Sequence, residues 1–198
     1  MCQETVEFIK TMGIGNIEMQ LALQCAPLIM GLKMSNLLII PMENEETFED
    51  IIDKTDISVY RLLNYQGKTV YLLYDKGKVI EFLNSDRTKE VFMREGYKSF
   101  LLEDILHSFQ NRYEHFRVNG GQFPHEMGLL LGYPVEDVVG FIENRGNNYL
   151  YSGYWKVYAR PLEKKELFAK FEDAKDSVVK MLSSGISMKE IVRRKCVA

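Results

Sequence analysis

The residues best suited to proton or nucleophile chemistry are Cys25, His125 and Glu126, with Lys33 as a cation set beside a glycine. The segment from Gln122 to Tyr158 concentrates special residues: Phe123-Pro124-His125-Glu126-Met127-Gly128, Leu131-Gly132-Tyr133-Pro134 and Gly153-Tyr154-Trp155-Lys156-Val157-Tyr158, which includes the chain's only Trp. His125 beside Glu126 has the make-up of a general base or a ligand. The plainer alternative is a helix-start residue whose position is set by Pro124. Cys25 and His125 follow the chain order of a Cys–His nucleophile pair, with Asp137 or Asn147 to orient the imidazole. Such a thiol gains from a helix N-terminus, whereas Cys25 closes an apolar helical run, where a buried structural Cys is the commoner case.

Lys33 lies in Gly31-Leu32-Lys33-Met34-Ser35-Asn36, just before an apolar run. It suits an anionic ligand or an internal acid; the alternative is a solvated Lys in a surface turn. Tyr154 and Trp155, with Tyr149, Tyr151 and Tyr158, suit stacking on a flat ligand, or else cross-strand packing. His107, His115 and His125 lack the short spacings of a shared metal site, so no metal is expected. Gly13-Ile14-Gly15 lacks the third glycine and preceding strand of a dinucleotide fingerprint, and nothing else in the chain names a cofactor.

These residues need elements to hold them. The pattern predicts a helix over 3–12, then a second one capped by Asn16, with Glu18 in its first turn and Pro27 towards its end. Leu37–Ile40 reads as a short buried strand, and Asn44–Lys54 as an amphipathic helix. Ile57–Leu63 and Thr69–Tyr74 flank a turn and predict a hairpin. Helices follow at 78–84, 86–95 and 101–112. Pro124 and Pro134 each open a short helix, with Val135, Val138, Val139 and Ile142 inward and Glu136 and Asp137 solvated. Tyr149–Tyr158 reads as one aromatic strand. A long helix runs from Pro161 to about Ser183, with a last one capped by Ser187 and closed by Glu190 in a capping box. The expected fold is α+β: a single domain over 1–198 whose small sheet (the hairpin plus two further strands) is covered by helices, with a helical C-terminus.

At 198 residues, with 46% hydrophobic and 27% charged residues, the chain can bury a core without staples. Three Cys form no disulfide framework, which points to a reducing, cytoplasmic setting. A net charge of −3 argues against a nucleic-acid partner, because phosphate contacts need a basic face. The C-terminal stretch has the turn Gly185 and cap Ser187 of a helix-turn-helix, but no room for a recognition helix beyond it. The first residues lack the basic region of a signal peptide, and no apolar run spans a bilayer, so no membrane partner is expected.

Cys25-Ala26-Pro27 with Gly31-Leu32-Lys33, the Phe123–Glu126 and Leu131–Val138 motifs, and Gly153–Tyr158 resemble a family from Firmicutes, chiefly clostridia: domain of unknown function 3793. The resemblance covers nearly the whole chain. It implies a soluble bacterial protein with Lys33, His125, Glu126, Gly132 and Trp155 in its motifs, and carries no activity with it. Where the family often has Thr after Ala-Pro, this chain has Leu28, which removes a hydroxyl from that position.

The leading functional expectation is a cleft between the Lys33 and His125 loops that binds a small ligand, an anion among the candidates, through Lys33, His125, Tyr154 and Trp155. Two alternatives stay open: a hydrolase or transferase using Cys25 and His125, with Glu126 as a further catalytic candidate, and a protein-interaction module.

Overall fold

The computed structural model describes residues 15–194, so the expected 3–12 helix lies outside the described residues. The described residues divide into two compact units: residues 15–75 with 169–194, and residues 76–168.

The first unit begins with α1 (Ile17–Ile29), whose Asn16 cap accepts hydrogen bonds from the backbone N–H groups of Glu18 and Met19. Pro27 sits inside its last turn. Three antiparallel strands follow: β1 (Ser35–Pro41), β2 (Ile57–Tyr65) and β3 (Lys68–Asp75), in the order β1-β3-β2. β1 pairs with β3 so that Leu37 faces Leu72 and Ile39 faces Val70. The β2–β3 hairpin carries a bulge between Arg61 and Leu63. The short helix α2 (Glu45–Ile52) links β1 to β2.

The alternation of β1 and β3 sends Leu38, Ile40, Tyr71 and Leu73 into one core. There they meet Leu21, Cys25 and Leu28 of α1, and Phe48 and Ile51 of α2. Ala174, Val178 and Leu182 join this core from the later part of the long helix α8 (Pro161–Ser183), and Ile191 from α9 (Met188–Arg194). The Ser187–Glu190 capping box forms as the spacing predicts: Ser187 N donates to Glu190 Oε2 at 3.0 Å, and Glu190 N donates back to Ser187 Oγ at 3.4 Å.

The second unit is helical: α3 (Lys76–Leu83), α4 (Asp86–Arg94), α5 (Leu102–Asn119), α6 (Met127–Leu130) and α7 (Val135–Glu143), with the first turns of α8. Helix α5 runs seven residues beyond the expected Arg112 and ends at Gly120 in the left-handed conformation.

The α+β class holds, and one strand assignment changes. Tyr149–Tyr158 is not a single strand, and it adds nothing to the three-stranded sheet. It folds on itself as a tight hairpin of β4 (Tyr151–Ser152) and β5 (Lys156–Val157). The reversal is a local packing event: a Cβ at Gly153 would lie 2.4 Å from Cδ2 of Phe168. Only the missing side chain lets that ring close over the turn. Among the described residues, no helix is long and apolar enough to cross a membrane.

Candidate functional site

The second unit builds an aromatic cavity from three short pieces. The first is the turn before α6. Pro124 does not open the helix as expected: Met127 N bonds to Pro124 O and Gly128 N to His125 O, so 124–126 form a separate turn. The second is the α6–α7 corner. Gly132 has φ +72° and closes α6 with two reversed bonds, Gly132 N to Leu129 O and Tyr133 N to Gly128 O. This Schellman arrangement needs a residue that tolerates the left-handed region, and it delivers Tyr133 at a fixed angle. The corner is close-packed, since a Cβ on Gly128 would sit 2.9 Å from Cγ2 of Val138.

The third piece is the β4–β5 hairpin, held by Asp137. The expected solvated pair on α7 separates here. Asp137 is buried (2% exposed): its Oδ2 accepts from Trp155 Nε1 at 2.8 Å, and its Oδ1 from Tyr158 N at 2.8 Å and Ala159 N at 3.1 Å. An acid in the first turn of a helix is favoured by the helix dipole, and three donors satisfy it fully once water is excluded. Glu136 instead pairs with Arg160 and, at 3.8 Å, with Lys164; burial pushes its carboxyl up, but a hydrogen bond from its own backbone and these two partners together hold it below the usual range. The buried position on the inward face is Val138, while the expected Val139 is only half-buried and lines a polar groove with Arg87 and Arg94.

Trp155, anchored in this way, stacks on Tyr133 at 4.6 Å between ring centres and meets Phe168 edge-on at 4.5 Å. Tyr133 and Trp155, with Phe123, Phe141 and Tyr154, line a half-open cavity of about 250 Å³ that is also lined by His125 and Lys156. His125 lies between Phe123 and Phe141, at 5.5 and 5.4 Å between ring centres. Its Nδ1 is buried and, among the described residues, has no hydrogen-bond partner. The cavity thus gathers His125, Tyr154 and Trp155 from the expected ligand-binding set.

Glu126, next in sequence to His125, does a different job. It is fully buried, 2.7 Å from Arg112 Nε, and accepts a hydrogen bond from the Tyr97 hydroxyl at 2.9 Å. Burial pushes its carboxyl up, against the pull of Arg112 and Tyr97. It does not line the cavity. Its contacts tie the His125 turn to α5 and to the Tyr97 segment.

In the first unit, Cys25 and Lys33 are neighbours through a second Schellman turn. Gly31, at φ +75°, closes α1 while Leu32 N and Lys33 N both bond to Pro27 O. This carries Lys33 inward, to 9% exposure, so the solvated-Lys alternative does not hold. Burial lowers the Lys33 ammonium to about 8, and burial pushes the Cys25 thiol up to about 12, offset in part by Lys33. At neutral pH Cys25 is therefore a protonated thiol in a packed core, the opposite of an activated nucleophile. Lys33 is not among the residues lining the aromatic cavity.

Sequence reasoning missed the roles of Tyr133, Asp137, Phe141 and Lys156 in this site. One signal pointed to Asp137: a Trp that becomes buried needs an acceptor for its N–H, and an acid placed inside the motif region supplies one.

The fold and cavity define a helix-rich α+β protein whose second unit closes an aromatic cavity around one imidazole. The chain belongs to the family described as protein of unknown function DUF3793, whose model matches residues 21–192. No curated protein and no solved structure matches it.

Proposed function

We propose that this protein binds a small, flat, largely apolar molecule in the cavity bounded by His125, Tyr133, Phe141, Tyr154 and Trp155, with one polar group of the ligand meeting His125 Nδ1. The observation that carries this reading is the buried, unpartnered imidazole nitrogen inside an aromatic wall. A buried polar atom without a partner costs on the order of 1–3 kcal/mol, which a ligand hydrogen bond would recover. Size supports the class: an apolar cavity of about 150 Å³ takes up benzene, so about 250 Å³ suits one substituted ring. Tyr154 and Trp155 supply stacking surface. The ligand contact falls to His125, Tyr154 and Trp155 of the expected set, and none is assigned to Lys33.

Trp155 is the only Trp in the chain, so its fluorescence reports this cavity alone. Titration with benzamide and benzyl alcohol should give saturable changes in Trp155 emission. His125→Phe keeps the ring packing but removes the nitrogen, and should weaken benzamide about tenfold, the loss of one hydrogen bond of roughly 1.4 kcal/mol. No saturable change with any single-ring probe at millimolar concentration would overturn the reading.

A further inference from the structure

Resting on that reading, we infer that the ligand is a small aromatic carboxylate, whose ring fills the cavity and whose carboxylate meets Lys156 and His125. Two polar groups in the lining keep unused hydrogen-bonding capacity, and both suit an anion. The first is His125 Nδ1, buried and unpartnered. The second is the Lys156 ammonium. It donates to Gly146 O at 2.7 Å and otherwise lies over two aromatic faces, 5.7 Å from the Phe141 ring centre and 5.0 Å from that of Tyr149. An ammonium has three donors, and among the described residues Lys156 has no ion-pair partner. It is half-buried all the same.

Both groups are held by one ring. His125 packs 5.4 Å from the Phe141 centre, and Lys156 Nζ lies within 6 Å of the same centre. The lining's one carboxylate does not compete for the cation, because the oxygens of Asp137 are occupied by Trp155, Tyr158 and Ala159. The site therefore carries an uncompensated positive charge against aromatic walls, where low polarity strengthens its pull on an anion. A neutral ring of the same shape would leave Lys156 without a counter-charge. An acid bound through its carboxylate would pair with Lys156 and accept a hydrogen bond from His125, present as the Nδ1–H tautomer or as imidazolium.

The test compares benzoate with benzamide, its neutral counterpart of equal shape, by Trp155 fluorescence at pH 7 and low salt. Wild-type protein should bind benzoate at least tenfold more tightly than benzamide. Lys156→Gln should remove most of that preference by weakening benzoate alone, and Lys156→Arg should restore it. Thermal unfolding of each variant confirms that it is folded, and the wild-type comparison stands without any variant. Equal wild-type affinities for the two probes, or a Lys156→Gln variant that loses both alike, would overturn the carboxylate assignment while leaving an aromatic site in place. Failure of both probes to perturb Trp155 would remove the cavity reading and this inference together.

Discussion

The two units use the same local device to opposite ends. Each closes a helix with a left-handed glycine in a Schellman turn, Gly31 after α1 and Gly132 after α6. In the first unit the turn carries Lys33 inward beside Cys25, and burial pushes both groups towards their neutral forms. In the second unit it sets Tyr133 against Trp155 on a cavity wall. Charged groups of the second unit also become buried, but with full partner sets: Asp137 with three donors, Glu126 with Arg112 and Tyr97. Two buried polar atoms there stay unsatisfied among the described residues: the Tyr158 hydroxyl, whose residue lines the groove with Arg87 and Arg94, and His125 Nδ1, whose residue lines the aromatic cavity. Burial of a titratable side chain is thus a poor guide to function taken alone. An unmet polar atom beside a cavity is a better one.

The comparison breaks most readily at Asp137. Asp137→Ala should destabilise the protein by about 3–5 kcal/mol, since it strands buried donors at roughly 1–3 kcal/mol each. Chemical denaturation followed by Trp155 emission reads this directly. An unchanged midpoint would show that Asp137 is not the anchor of the hairpin.

The first unit is tested by alkaline pH. The folded-state pKa of Lys33 lies below its unfolded value, so below about 8 both states hold the proton and stability is flat with respect to this group. Between about 8 and 10.5 the unfolded chain binds more protons, and stability rises with pH. Cys25 acts in the other direction: between 9.0 and about 12 the folded state keeps its proton and stability falls. Subtracting the stability of Lys33→Met from that of wild type isolates the first effect. The difference should grow in favour of wild type by about 3 kcal/mol across the Lys33 interval. A difference independent of pH would place Lys33 in water and dissolve the contrast between the units.

The smallest effect sharpens the comparison by steric means. Gly153→Ala should cost about 1–2 kcal/mol, because its Cβ would press on the Phe168 ring. Gly15→Ala, with nothing among the described residues within 4 Å, should stay within about 0.5 kcal/mol of wild type. Equal thermal shifts for the two variants would mean that the hairpin adjusts freely around Phe168.

The sequence by itself determined what lies within a few residues. The Asn16 cap, the Ser187–Glu190 box, the helix stop at Gly132 and the 57–75 hairpin depend on bonds spanning a handful of positions, so residue type and spacing suffice to find them. They were legible, as was the concentration of site residues between Phe123 and Trp155. Only the tertiary structure decided that Asp137 is an anchor and not a solvated acid, since its partner Trp155 stands 18 residues away. The same holds for the burial of Lys33, for the folding of the aromatic 149–158 stretch into a hairpin against Phe168, and for the different roles of His125 and Glu126. Adjacent in sequence, these two face different neighbours: one an aromatic cavity, the other Arg112 and Tyr97. The physical reason is common to all four. Whether a polar group is solvated, paired or left waiting depends on which distant side chains exclude its water, and local spacing carries no record of that.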